Sequence, residues 1–266
     1  MMLFPASQEE LAECVRVLSE AGIRWFLLGN GSNTLFDDEG FEGVIVRVGK
    51  GLDEVSVSGR EIYAGAGALL SQVARAALRS SLTGLEFAAG IPGSVGGGVM
   101  MNAGAYGGEL KDVLKSVRLI GAGGSVSEVP GSELELGYRT SRLKRTGEVV
   151  AGATFELEPG DAAQIEATME DLASRRREKQ PLEYPSAGST FKRPEGYYAG
   201  KLIEDAGLRG RNVGGAQVSE KHCGFIVNKG GATAGDIKAL IRLVQDEVRA
   251  SSGVSLETEV LMPQVR

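Results

Sequence analysis

The residues of this chain best suited to chemistry sit in a few short stretches. Leu28-Gly29-Asn30-Gly31-Ser32-Asn33-Thr34 sets two glycines among amide and hydroxyl side chains. Without Cβ atoms in the way, successive main-chain amides can face an anion there, and a pyrophosphate suits such a loop. No Gly-Lys-Ser/Thr follows, so it is not a Walker A loop. The third glycine of a dinucleotide fingerprint is absent as well. A plain strand-to-loop turn would use the same residues. Ile91-Pro92-Gly93-Ser94-Val95-Gly96-Gly97-Gly98 and Asn102-Ala103-Gly104-Ala105-Tyr106-Gly107-Gly108 extend the theme. Their glycines let backbone approach a ligand closely, or let small residues pack in tight turns.

Further along, Tyr138-Arg139 offers a guanidinium fork that matches a carboxylate or phosphate, if it is not simply a surface arginine. Pro185 to Pro194 gathers Ser189, Thr190, Lys192 and Arg193. Ser189 can be a proton donor, an anion ligand or a cap. It is not a hydrolase nucleophile by motif, because Gly-x-Ser-x-Gly is missing. His222 is the single histidine, and Cys14 and Cys223 lie far apart. That count argues against a metal centre and against a disulfide framework. Glu257 and Glu259 alternate with apolar neighbours and fall on one face of a strand, as an acid site or as a solvated edge.

Composition narrows the setting. With 29 Lys+Arg against 35 Asp+Glu the formal net charge is −6, which argues against a nucleic-acid binder. The apolar runs fall short of the roughly 20 residues of a membrane helix, and Met1-Met2-Leu3-Phe4-Pro5 is no signal peptide. A cytoplasmic protein is expected. Glycine supplies 39 of 266 residues, about twice the usual ~7%, and the excess clusters in the stretches above.

The elements that must position these residues read as follows. Ser7 and Glu10 form a capping box ahead of a helix with Leu11, Val15 and Leu18 on one face, stopped by Gly22. Strands are expected at 23–28, 43–48, 55–57, 62–64, 113–120, 126–129 and 149–157, with a helix over 70–80. Asp161 opens a helix running to Lys179, and the cations at its end suit the helix dipole. Pro181 and Pro185 mark a boundary. Beyond it come a helix over 201–206, a strand at 224–228, a helix over 233–251 and a last strand at 256–262.

Together these segments resemble the UDP-N-acetylenolpyruvoylglucosamine reductases, flavoenzymes of bacterial cell-wall synthesis. The resemblance is carried by Leu28-Gly-Asn-Gly-Ser-Asn-Thr-Leu35, Gly84-Leu-Glu-Phe87, Gly90-Ile-Pro-Gly-Ser-Val-Gly-Gly97, Met101-Asn-Ala-Gly-Ala-Tyr-Gly-Gly108 and Tyr138-Arg139. It continues through Ala187-Gly-Ser-Thr-Phe-Lys-Arg-Pro194, Ala199-Gly-Lys-Leu-Ile203 and Leu256-Glu-Thr-Glu-Val260, in the family's order. Gly200-Lys201-Leu202-Ile203 and the short path from Tyr138 to Pro185 look like the family's shorter, second type. Members normally carry a segment such as Thr-Phe-Arg-Ile-Gly-Gly upstream of the first helix. This chain starts almost at that helix, so the segment is expected to be missing. Gly98 also departs from the alanine common in that stretch, a change expected to be tolerated.

The resemblance implies an α+β fold. An FAD-binding domain of the vanillyl-alcohol-oxidase (PCMH) type would span 1–182, in lobes of about 1–48 and 49–182, with the last strand, 260–266, returning to the first lobe. An αβ substrate-binding domain would span 183–259. Gly29, Asn30, Gly31, Ser32 and Asn33 would hold the pyrophosphate of a non-covalent FAD. Ile91, Pro92, Gly93, Ser94, Gly96 and Gly97, with Asn102, Gly104, Ala105 and Tyr106, would line the rest. NADPH would supply the hydride for an enolpyruvyl UDP-sugar. Arg139, Ser189 and Glu259 would be catalytic: a cation at the developing enolate, the proton donor to C2, and a carboxyl group stabilising the enolate. Tyr138, Arg193, Lys201 and His222 would contact substrate. No metal, nucleic acid or membrane partner is implied, and a monomer is expected. Two alternatives stay open: another FAD-dependent oxidoreductase on this fold, or a flavin-free nucleotide-sugar binder.

Overall fold

The computed structural model describes residues 1–263. They form two compact units: Met1–Asn30 with Gly43–Ser174, and Gly31–Glu42 with the chain from Arg175 onward.

The first unit holds two main sheets. The smaller is three-stranded, in the order Met2–Leu3, Val44–Arg47, Trp25–Leu28, and both pairings are parallel. Helix Gln8–Glu20 buries Leu11, Ala12, Val15 and Leu18. Ser7 Oγ accepts from Glu10 N at 3.2 Å, while the Glu10 carboxylate reaches back to Ala6 N at 2.8 Å. The reciprocal bond of the capping box therefore lands one residue before the cap.

The larger sheet is antiparallel, in the order Val126–Pro130, Leu114–Ile120, Val149–Glu156, Glu61–Gly65, Val55–Ser58. Val149–Glu156 is central and buries both faces, with only Thr154 and Glu156 reaching the surface. That is why it reads as a continuous apolar run rather than an alternation. Helix Leu70–Arg79 adds Leu70, Val73, Ala74 and Ala77 to the core.

The second unit has its own core of Phe191, Ile203, Val218, Ile226, Leu240, Ile241, Val244 and Val248. Helix Ala234–Ser252 starts at a capping box formed by Thr233 and Asp236 and ends at Gly253, whose φ is +74°. A small antiparallel sheet, Asn212–Val213, Ala216–Val218 and Ile226–Asn228, packs with it. The loop Gly31–Glu42 joins this unit through Asp38, whose two carboxylate oxygens accept from Ala234 N at 2.7 Å and Gly235 N at 2.9 Å. Asp37 pairs with Lys238 in the same contact.

One helix goes beyond the sequence reading and one expected strand is corrected. Val95–Met100 is a helix, although three consecutive glycines disfavour one by about 1 kcal/mol each. Packing overrides propensity: a Cβ on Gly96 would stand 3.1 Å from Ala66 Cβ, and one on Gly98 would stand 3.1 Å from both Leu70 and Leu110. The expected strand at 256–262 is not a regular strand. It pairs antiparallel with one segment, through Lys192 N to Glu257 O (2.9 Å) and Glu259 N to Thr190 O (2.9 Å). It then switches to a parallel bridge with Thr34, through Leu261 N to Asn33 O (3.0 Å) and Leu35 N to Leu261 O (2.9 Å). Each pairing is too short to build a ladder. Of the expected last strand 260–266, residues 264–266 lie outside the described residues.

Candidate active site: two polar clusters

In the first unit the chain leaves strand Trp25–Leu28 at Gly29. A side chain at Gly29 would collide with the Oγ of Ser94. Ser94 is 3% exposed and, among the described residues, its hydroxyl has no hydrogen-bond partner. Asn30 Nδ2 donates to Pro92 O at 2.6 Å, which fastens the loop to Ile91–Ser94. Gly93 O in turn accepts from Leu70 N at 3.0 Å. An unsatisfied buried hydroxyl costs about 1–3 kcal/mol unless a ligand pairs with it. A cradle of glycine backbone around such a hydroxyl fits a bound phosphate group. Gly96 faces Ala66, whereas a Cβ on Gly97 would meet only Ser94 Oγ, at 3.6 Å, so Gly97 is the helix position with room beside it.

Gly104–Ala105 and Gly108–Glu109 form a two-stranded hairpin. Its turn residues, Tyr106 and Gly107, have φ of +53° and +94°. Two positive φ values mark a turn that normally selects asparagine or glycine. Tyr106 occupies that strained position with its ring half in solvent. Such strain is characteristic of residues held for function. The side chain of Asn102 is committed inside the protein. It is 1% exposed. Its Nδ2 donates to Glu109 Oε2 (2.9 Å) and Gly137 O (3.2 Å), and its Oδ1 accepts from Lys111 N (3.0 Å).

Arg139 sits in the turn Gly137–Thr140, closed by reciprocal main-chain bonds of 3.1 and 3.2 Å. Its φ is +53°. Its guanidinium lies 5.5 Å from the Tyr138 ring centroid and points both terminal nitrogens at Gly104 O, 3.4 Å away. Glu109 was not singled out by sequence, yet Lys111, Asn102 and the field of Arg139 hold its carboxyl below the usual carboxylate range, the Lys111 hydrogen bond contributing most.

The second unit pairs the backbone segments that carry Ser189 and Glu259. Ser189 bridges Phe225 on one side. Thr190 N donates to Gly224 O (2.8 Å), and Thr190 Oγ1 accepts from Ile226 N (3.0 Å). On the other side the Glu259 amide donates to Thr190 O. Ser189 is half-buried, and among the described residues its hydroxyl has no hydrogen bond. Within the same unit, Asn33 Nδ2 donates to Glu259 O at 3.1 Å. Glu257 is exposed and paired with Lys192 at 2.9 Å, while Glu259 on the same face is half-buried.

The four expected substrate contacts are spread more widely. Tyr138 neighbours Arg139 in the first unit. Arg193 lies over the Tyr198 ring, 4.0 Å from its centroid. Lys201 is exposed and paired with Asp205 one helical turn on. His222 packs edge-on to Phe225 and accepts from Gly224 N at 3.1 Å through Nδ1. Burial pushes its pKa below the ordinary histidine value. Among the described residues no group of His, Cys, Asp or Glu is arranged to hold a metal ion, and no helix is long and apolar enough to cross a membrane.

Comparison with known proteins gives a consistent result. Residues 180–262 match the family model described as UDP-N-acetylenolpyruvoylglucosamine reductase, C-terminal domain, and residues 1–129 match an FAD binding domain. The UDP-N-acetylenolpyruvoylglucosamine reductase of Geobacillus kaustophilus (strain HTA426) is 51% identical over 259 residues, 97% of this chain and 85% of that protein. The one from Clostridium perfringens (strain SM101 / Type A) is 50% identical over 260 residues, 98% and 85% of the two chains. The crystal structure of the Thermus caldophilus enzyme (MurB) superposes with a TM-score of 0.84 at 35% identity, covering 98% of this chain and 90% of that one.

Proposed function

The chain belongs to the UDP-N-acetylenolpyruvoylglucosamine reductase family, and we propose that Arg139, Ser189 and Glu259 divide the chemistry of that family's reaction among them. The protein is an FAD-dependent oxidoreductase that uses NADPH to reduce the enolpyruvyl group of its nucleotide-sugar substrate, giving UDP-N-acetylmuramate for peptidoglycan precursors. Its fold is α+β with an FAD-binding domain, which we read as the vanillyl-alcohol-oxidase type.

FAD, when bound, would supply the hydride chemistry that links NADPH to C3 of the enolpyruvyl group. We assign its pyrophosphate to Gly29–Asn33 and the buried Ser94 hydroxyl, and its remaining length to Ile91–Gly97 and Gly104–Tyr106. The FAD-binding domain is read as 1–182 and the substrate domain as 183–259.

Hydride arrival at C3 leaves negative charge on C2 and the adjacent carboxylate. A fixed guanidinium, Arg139, stabilises that charge. Glu259 stabilises the enolate as a carboxyl group sharing a proton. Ser189 Oγ donates its proton to C2. Serine is a weak acid, so it needs such surroundings to act. The observation that carries this reading is the main-chain bond from Glu259 to Thr190, which sets the carboxyl-bearing residue opposite the neighbour of Ser189. Tyr138, Arg193, Lys201 and His222 are read as contacts to the nucleotide-sugar or the nicotinamide. We also propose a cytoplasmic location and a monomeric state for the enzyme.

The test is NADPH oxidation by the FAD-loaded protein, with and without the enolpyruvyl UDP-sugar. Consumption that depends on the sugar is expected. NADPH consumption independent of it would point to a different flavoenzyme. A protein that retains no flavin yet binds the sugar would favour a nucleotide-sugar binder.

A further inference from the structure

We propose that Glu109 and Asn102 are positioning residues for Arg139: they hold the turn that carries it and set the reach of its guanidinium. The inference rests on the reading that Arg139 acts on the substrate.

Arg139 has a left-handed backbone, which an arginine keeps only where its surroundings enforce it. The enforcing contact is the Asn102 side chain. Its Nδ2 bonds to Gly137 O, which also closes the turn by accepting from Thr140 N. Asn102 is itself left-handed, at φ +44°. Its amide orientation is fixed from both ends, by the Glu109 carboxylate at Nδ2 and by Lys111 N at Oδ1. Lys111 Nζ, 2.7 Å from Glu109, balances the carboxylate's charge.

The same hairpin restrains the other end of Arg139. Glu109 stands directly across from Gly104 in the strand register, and Gly104 O is the acceptor facing both terminal nitrogens of the guanidinium. One pair of residues, 104 and 109, therefore holds the backbone of Arg139 through Asn102 and its side chain through Gly104. The carboxylate of Glu109 adds an electrostatic pull on Arg139 without a direct hydrogen bond. A merely structural hairpin would need none of this coupling.

The experiment uses Glu109→Gln in the FAD-loaded enzyme, because Asn102→Ala strips two buried partners at once and risks unfolding. Glutamine keeps the shape and removes the charge. Flavin reduction by NADPH and flavin reoxidation by the enolpyruvyl UDP-sugar are followed separately by stopped-flow absorbance. Reoxidation is expected to slow about tenfold, with reduction within about twofold of wild type. In the double variant with Arg139→Lys, the Glu109 effect is expected to vanish, since both changes act through one group. Equal slowing of both half-reactions, no slowing, or additive effects in the double variant would each overturn the positioning role. Normal reoxidation by Arg139→Lys alone would overturn the assignment of Arg139 itself. An impaired Arg139→Lys beside an unaffected Glu109→Gln would overturn only the positioning role.

Discussion

The main-chain amide of Glu259 donates to the carbonyl of Thr190 at 2.9 Å, across 69 positions of sequence (259 − 190). Thr190 is held on its other edge by Gly224 and Ile226, so residues 189–191 run between two pairings. Ser189 thus sits on rigid backbone although it belongs to a loop by sequence. If it protonates C2, Ser189→Ala leaves flavin reduction by NADPH near wild type and slows reoxidation by the enolpyruvyl UDP-sugar by about 10² or more, the usual worth of a general acid. Equal losses in both half-reactions would refute the role.

Arg139 is assigned a bidentate task, and lysine cannot reproduce a planar fork. Arg139→Lys is therefore expected to lose about 10²-fold in reoxidation, in line with removal of one charge-stabilising donor. Near-normal turnover of this variant under saturating sugar would remove Arg139 from the mechanism.

The glycine helix makes a graded prediction about stability. At Gly97 an added methyl meets only Ser94 Oγ at 3.6 Å, whereas at Gly96 it meets Ala66 Cβ at 3.1 Å and Ala66 O at 3.3 Å. Gly97→Ala should be neutral or raise the thermal midpoint of the flavin-free protein, because alanine restricts the unfolded chain. Gly96→Ala should lower it, by an overpacking cost of about 1–3 kcal/mol. Gly98→Ala falls between, since its close neighbours are the side-chain ends of Leu70 and Leu110. Thermal unfolding of the three variants side by side checks the order; a Gly96→Ala protein as stable as Gly97→Ala contradicts it.

His222 predicts a pH dependence. Burial depresses its folded pKa below the ordinary value of 6.5. Between the folded value and about 6.5 the unfolded chain binds the extra proton, so stability rises with pH through that window and levels off above it. His222→Gln, which keeps an acceptor for the Gly224 amide, should flatten the curve between about pH 6.5 and its lower limit. Thermal midpoints measured from pH 5 to 8 test this; a wild-type curve parallel to the variant's would exclude His222 as its source.

Much of the site is legible in the residues themselves. Glycine at 29, 31, 96 and 97 announces backbone built for close approach, and the strands and helices that carry these stretches follow from periodicity and caps. The strand over 149–157 and the helix over 233–251 are read directly. Local chemistry decides them, because a cap or an apolar period acts within one or two turns of chain.

Tertiary structure alone decided the rest. Asn102 spends both ends of its side-chain amide on Glu109, Gly137 and Lys111, and no local pattern announces partners up to 35 positions away. Val95–Met100 is helical although its glycines disfavour a helix, with Gly96 close against Ala66 and Gly98 against Leu70 and Leu110, and propensity carries no term for those contacts. The segment 256–262 reads as a strand by alternation, yet it changes partner after two residues. Which backbone a segment meets is set by the loops Pro185–Pro194 and Gly31–Glu42 closing over it, and loop closure is a property of the whole chain.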